Sequence, residues 1–172
     1  ADASEAQGYG DSAHNNAVTP TSSAAVSPLS VADVQSNLPE DLMVLEYSVT
    51  SKGTYLFLIT RSGLKMAGSP ATTEILDRLT SEYVSGLQNI ESISTLNQKA
   101  PELYDYLIKP VEQEIYGVKD LCIVPDKSLH FLPFNALLDT SGEYLFKSHS
   151  LSYAPSASVL IRCLKEEARF QV

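Results

Sequence analysis

Four consecutive apolar residues that end at a polar turn constrain the fold of this chain more than any other feature. Residues 121–124 read Leu-Cys-Ile-Val, and Pro125 and Asp126 follow them. A short continuous apolar run of this kind is typical of a strand that is buried on both faces of a sheet. We therefore predict a central strand here, with Asp126 at its carboxyl end, where open α/β sheets gather their functional loops.

An antiparallel meander is predicted upstream of this strand. Residues 42–49 and 54–60 are rich in Val, Leu, Ile, Tyr and Phe, which favour strands. The turn between them contains Gly53, which accepts a positive φ. A second reversal then leads to a short strand at residues 64–67, so three strands are expected in succession.

Two amphipathic helices are predicted between the meander and the central strand. Apolar residues recur at every fourth position in each, a spacing that places them on one helical face. The first helix spans residues 73–87 and carries Ile75, Leu79, Tyr83 and Leu87. The second carries Leu103, Leu107, Val111 and Ile115. Pro101 suits its first turn, Pro110 is expected to kink it, and Gly117 suits the position after its end.

The C-terminal part of the chain predicts one more strand and one more helix. A turn is expected at residues 139–142 and a strand at 149–153. Ser156 is placed to cap a final helix. The apolar stripe of that helix is predicted to consist of Val159, Leu160, Cys163 and Leu164.

The first residues differ in composition from the rest of the chain. Residues 1–28 consist largely of Ala, Ser, Thr, Asn, Gly and Pro. Ordering them would cost backbone entropy without apolar burial to offset it, which predicts a disordered linker or tail. The alternative is that Val26 and Leu29 dock locally. Order is expected from Ser30, the start of a short helix that Pro39 ends.

Charge and cysteine content exclude several classes of function. The 172 residues include 12 Lys and Arg against 21 Asp and Glu, a net charge of −9, with no basic stripe for a phosphate backbone. The two cysteines have neither a zinc spacing nor a disulfide framework. No membrane-spanning run or secretory signal is visible. We predict a cytoplasmic protein with protein partners, without nucleic-acid or membrane partners, and without a cofactor or metal site.

Three ordered motifs carry a family resemblance. They are residues 121–138, which include Val-Pro-Asp and Leu-His-Phe-Leu-Pro-Phe, residues 142–145, which read Gly-Glu-Tyr-Leu, and residues 151–160, which include Tyr-Ala-Pro-Ser-Ala-Ser. In this order and spacing they resemble the CHAT domain, a caspase-like module that is usually attached to tetratricopeptide repeats. The segment Met43-Val-Leu-Glu-Tyr47 is similar to the strand that begins these domains. The resemblance covers residues 29–172 and only the N-terminal portion of the family.

The resemblance implies a fold and an activity. It implies an α/β three-layer caspase-like fold, here its N-terminal part, with the meander and two helices in front. Active CHAT domains are cysteine peptidases whose histidine, in Thr-His-Gly, and cysteine, in Ser-Ala-Cys, follow the Tyr-Ala-Pro-Ser motif. This sequence contains neither context.

The function that follows is part of a cysteine peptidase or peptidase-like effector. Its implied partners are tetratricopeptide repeats and the remaining C-terminal half of the CHAT domain, and residues 1–172 alone are expected to be inactive. The alternative is a non-catalytic interaction or scaffold module.

No residue of this chain is predicted to be catalytic. Cys122 and Cys163 are interpreted as core cysteines, because a thiol in apolar surroundings has little thiolate. His130, between Leu129 and Phe131, is interpreted as a hydrogen-bonded structural histidine rather than a base oriented by Asp126.

The remaining polar residues are not predicted to be catalytic either. The Asp126 carboxylate is expected to bond backbone amides in a turn. Ser156 is interpreted as a helix cap, since no nucleophile elbow surrounds it. Tyr104, Tyr106, Glu112 and Glu114 form either a partner surface or a solvated helix face.

Overall fold

A computed structural model describes residues 28–89, 93–139 and 141–170. The elements, in chain order, are α1 (Val31–Asn37), β1 (Leu42–Thr50), β2 (Gly53–Thr60), β3 (Gly63–Ser69), α2 (Thr73–Gln88), α3 (Ile93–Leu107), α4 (Glu112–Ile115), β4 (Asp120–Val124), β5 (Ser150–Tyr153) and α5 (Ala157–Phe170). Short 3-10 turns connect α3 to α4 and fill much of the path from β4 to β5. Apart from Pro28, the predicted disordered tail lies outside the described residues.

The described strands form one mixed sheet in the order β3-β2-β1-β4-β5. β1 pairs with β2, and β2 with β3, in antiparallel register, which confirms the predicted meander. β4 lies parallel to both β1 and β5. It is therefore an interior strand as predicted, but β1 occupies the middle of the five, because the meander adds its strands on one side only.

Helices pack against both faces of the sheet and define two cores. The first core lies under α2 and α3, where Leu121 and Ile123 of β4 point. The second core lies under α1 and α5, where Cys122 and Val124 point. The central run is thus buried on both faces, as its continuous apolar sequence predicts. The α/β class is confirmed, with the sheet as the middle of three layers.

The boundary of α3 differs from the prediction. The helix begins at Ile93, so Pro101 lies inside it rather than in its first turn. Pro110 belongs to a separate 3-10 turn, Lys109–Val111, and thus breaks the helix instead of kinking it. The predicted apolar face is nevertheless correct, since all four of its residues are buried: Leu103, Leu107, Val111 and Ile115. Gly117 has a φ of 79°, as expected just after a helix end.

Two other helix faces also differ in detail. In α2, Leu76 is fully buried while Leu87 is exposed, although Leu79 and Tyr83 are buried as predicted. In α5, the buried residues are Ala157 and Ile161, with Leu160 and Leu164 packed against them. Cys163 lies off this face and is exposed, so the prediction that it belongs to the core is wrong.

Candidate functional site

The candidate site lies where the parallel strands β4 and β5 end. β4 leads into Pro125 and Asp126, and β5 leads into Ala154 and the start of α5. Because the strands are parallel, both loops meet at one edge of the sheet. The Ala154 backbone N–H donates to the Ile123 carbonyl at 3.0 Å, which fixes the start of the second loop beside the end of β4.

The loop after β4 is tied to its neighbours by two polar side chains. Oδ2 of Asp126 accepts a hydrogen bond from the Val49 backbone N–H at 2.8 Å, so this carboxylate bonds a backbone amide as predicted, in β1 rather than in its own turn. Lys127 has a φ of 52°, and its Nζ donates to Oγ1 of Thr73 at 3.0 Å. A left-handed conformation costs energy at a residue other than glycine. The surrounding contacts therefore hold this loop in a constrained shape.

His130 does not have the environment that the sequence indicates. Its side chain is exposed, and the adjacent Phe131 is 75% exposed, because both lie on the outer side of a 3-10 turn that buries only Leu129. His130 is thus exposed rather than packed between apolar neighbours, and its role as a hydrogen-bonded structural histidine stays a prediction. The Asp126 carboxylate is engaged with Val49, so no base and orienting acid are assembled by these two residues.

The two cysteines occupy opposite environments. Cys122 is fully buried, and burial raises the pKa of its thiol, although an interaction with Ser152 acts in the opposite direction. This confirms its assignment to the core and makes it a poor nucleophile. Cys163 is accessible on α5. Among the described residues, no group of three or more His, Cys, Asp or Glu side chains is arranged to hold a metal ion.

Ser156 caps α5, as its position in the sequence predicts. Its Oγ accepts a hydrogen bond from the Val159 backbone N–H at 3.2 Å.

Tyr104 is buried, and its hydroxyl donates to Oε1 of Glu112 at 2.8 Å. Burial, together with this hydrogen bond, raises the pKa of Tyr104. Tyr104 thus belongs to the core, neither to a partner surface nor to a solvated face.

Aromatic contacts join two of the sequence motifs. The ring centroid of Phe134 lies 5.4 Å from that of Tyr47 and 6.3 Å from that of Tyr153. The Phe134 backbone N–H also donates to the Tyr153 hydroxyl at 3.1 Å. The Leu-Pro-Phe and Tyr-Ala-Pro-Ser segments are therefore parts of one packing unit beside β5. Sequence reasoning did not find this contact, because neither motif contains a signal for its partner.

A cleft on the second face of the sheet contains a carboxylate that sequence reasoning missed. We call it the Glu46 cleft. It has a volume of about 360 Å³ and is lined by Pro28, Leu29, Val31, Val34, Glu46, Ile59, Ser156, Ala157 and Ser158. Glu46 is half-buried, and burial raises the pKa of its carboxyl. The available signal was a charged residue within the apolar run Met43-Val-Leu-Glu-Tyr47.

In a comparison with known protein families, the chain matches the family model of the CHAT domain. The match covers residues 97–171 and thus includes all three motifs, most of α3, both parallel-strand loops and α5. No curated protein matched the chain. Among the described residues, none of the helices combines the length with the apolar composition that a membrane span requires.

Proposed function

We propose that residues 29–172 form the N-terminal portion of a CHAT-domain cysteine peptidase or peptidase-like effector, because residues 97–171 match the family model of the CHAT domain, a caspase-like peptidase-related domain. The family match is the observation that carries this proposal. The three-layer α/β arrangement supports a caspase-like fold. The matched segment includes all of α5, but it leaves the meander and α2 uncovered, so their inclusion in the domain is part of the proposal.

The open side of β5 supports a continuation of the sheet. Among the described residues, β5 is the last strand in the sheet order. The N–H groups of Ser150 and Ala154 point to β4, with distances of 2.7 and 3.0 Å to the carbonyls of Lys119 and Ile123. Because alternate residues face opposite sides of a strand, those of Leu151 and Tyr153 point away from β4. Another parallel strand of the remaining CHAT half fits this edge.

The chemistry proposed for the complete domain is attack of a cysteine thiolate on a peptide carbonyl, assisted by histidine. Both groups would come from a segment outside residues 1–172. The residues of this chain would then frame the site, with the loops after β4 and β5 at the edge where the proposed further strands would end. We further propose that the partner consists of tetratricopeptide repeats and that the protein is cytoplasmic.

Peptidase assays test this proposal. Residues 1–172 should not cleave a panel of fluorogenic peptides, because Cys122 is buried and Cys163 lies outside the carboxyl-end loops. The C163S variant is the control for the one accessible thiol. Turnover that C163S abolishes would place the nucleophile in this chain and overturn the proposal. If the gene encodes Thr-His-Gly and Ser-Ala-Cys segments after Val172, this would support the peptidase.

The exposed sheet face favours a second candidate, a non-catalytic interaction module. Tyr55, Leu64 and Met66 leave apolar surface open on a sheet whose other face is covered. In this case the CHAT fold would serve as a scaffold for an assembly. A downstream sequence without the Thr-His-Gly and Ser-Ala-Cys segments would favour the scaffold over the peptidase.

A further inference from the structure

The second face of the sheet is covered only in part. α1 and α5 lie over the second core, at Val44, Cys122 and Ile59. Toward β3 the cover ends, and Tyr55, Leu64 and Met66 are 44%, 45% and 64% exposed. Apolar residues normally occur singly on a surface, whereas a contiguous group marks an interaction site.

Strand register places these residues in one group beside the Glu46 cleft. Met66 pairs with Phe57, and Phe57 pairs with Glu46, so the three side chains lie in a row on the same face. Tyr55 and Leu64 each lie two residues along the same strands and share that face. We call Tyr55, Phe57, Leu64 and Met66 the apolar patch. The patch and the Glu46 cleft form one continuous surface.

Glu46 is the charged group of this surface. Its neighbours in the cleft are largely apolar and include Val34, Ile59 and Ala157. The ion pairs of the described residues all involve other carboxylates. Partial burial of a carboxylate without a charged or hydrogen-bonding partner is unfavourable. A cation bound beside Glu46 would remove this energetic cost, whereas apolar contacts alone would leave it in place.

We propose that the apolar patch and the Glu46 cleft bind a segment of a partner protein that presents one Arg or Lys side chain between apolar side chains. The cation pairs with Glu46, and the flanking side chains cover Phe57 and Met66. Arg suits the site better than Lys, since its guanidinium is less strongly hydrated and binds a carboxylate through two hydrogen bonds. This inference goes beyond the proposed peptidase function and does not depend on it.

Charge favours another protein as the occupant. Residues 1–27 contain no Lys or Arg, and they include Asp2, Glu5 and Asp11. The N-terminal segment therefore lacks the side chain that Glu46 requires. The whole chain has a net charge of −9, which favours association with a basic partner over a second copy of itself.

Selection from a displayed library of random 12-residue peptides tests the proposal. Peptides retained by the full chain should carry one Arg or Lys flanked by large apolar residues. A fluorescein-labelled copy of the best-enriched peptide is then measured by fluorescence anisotropy. E46Q should weaken its binding about tenfold or more, because the ion pair is lost while the side-chain shape is kept. E74Q, on α2 at the opposite face, is the matched control and should bind like the unaltered chain.

A second pair of variants tests the apolar patch. M66K places a like charge beside the incoming cation and should also weaken binding about tenfold, whereas M66L should leave it within about twofold. Met66 is exposed, so neither substitution threatens the fold. Enrichment of acidic or uncharged peptides, equal binding by E46Q and E74Q, or self-association that M66K abolishes would each overturn the proposal.

Discussion

At the scale of single residues, the two thiols differ in both properties that control their reactivity, namely access and pKa. Cys122 is fully buried in β4, and burial raises the pKa of its thiol, whereas Cys163 is exposed on α5. We expect iodoacetamide to alkylate Cys163 readily in the folded chain. Cys122 should react more than about a hundredfold more slowly, since its exposure requires unfolding of the sheet.

Mass spectrometry of tryptic peptides measures the two rates separately. In denaturant both cysteines should be alkylated at similar rates, and C163S should show almost no labelling in the folded state. Rapid labelling of Cys122 in folded C163S would contradict the position of this residue in the second core.

At the scale of elements, substitutions at two glycines with positive φ allow the cost of backbone strain to be distinguished from the cost of steric contact. Gly53 has a φ of 148°, and a Cβ at this position would meet the Ser69 carbonyl oxygen at 2.8 Å. Gly117 has a φ of 79° and open space around it. G117A should lower the free energy of unfolding by about 1 kcal/mol through strain alone. G53A should lower it by about 3 kcal/mol or more, because the meander must also shift.

Urea denaturation measures the free energy of unfolding of both variants, provided that their m-values equal that of the unaltered chain. Equal losses for G53A and G117A would show that β2 and β3 tolerate the added Cβ, and would contradict the close approach of Gly53 to Ser69.

The elements also show what could be predicted from the sequence. The meander, the central run and the α5 cap follow from local signals, namely alternation, a turn glycine and a serine before an apolar helix. The predictions of the buried helix faces were less accurate, because residues four apart advance by about 40° beyond a full turn at each step. In α2 the series from Ile75 to Leu87 therefore drifts off the buried face, which Leu76 occupies instead.

The start of α3 and the candidate site depended on contacts that local patterns do not contain. Pro101 indicates a first turn, but a helix interior tolerates it where packing of residues such as Leu103 and Leu107 outweighs one lost hydrogen bond. Glu46 becomes distinctive only once α1 and α5 form the cleft around it and the register places it beside Phe57. Likewise, Cys163 is apolar by type, but its exposure follows from the orientation of α5 against the sheet.

At the scale of the whole molecule, an open sheet edge favours association. The N–H groups of Leu151 and Tyr153 point away from β4, and β5 is the last described strand. Such an edge pairs readily with another chain. We expect residues 1–172 to form dimers or larger oligomers whose population rises with concentration, because this association covers the edge that the remaining CHAT half is proposed to occupy.

A charge on the edge should reduce this association, since natural edge strands use lysine to prevent pairing. Ser152 is an exposed residue of β5, and Ser148 is an exposed residue just before the strand. S152K should therefore shift sedimentation-velocity profiles toward the monomer, while S148K, with the same added charge, should leave them close to those of the unaltered chain. Both variants should retain a cooperative thermal transition, because neither position is buried. A monodisperse unaltered chain across the concentration series would show that the edge is covered within the chain itself, and the proposal that further strands add to β5 would fail.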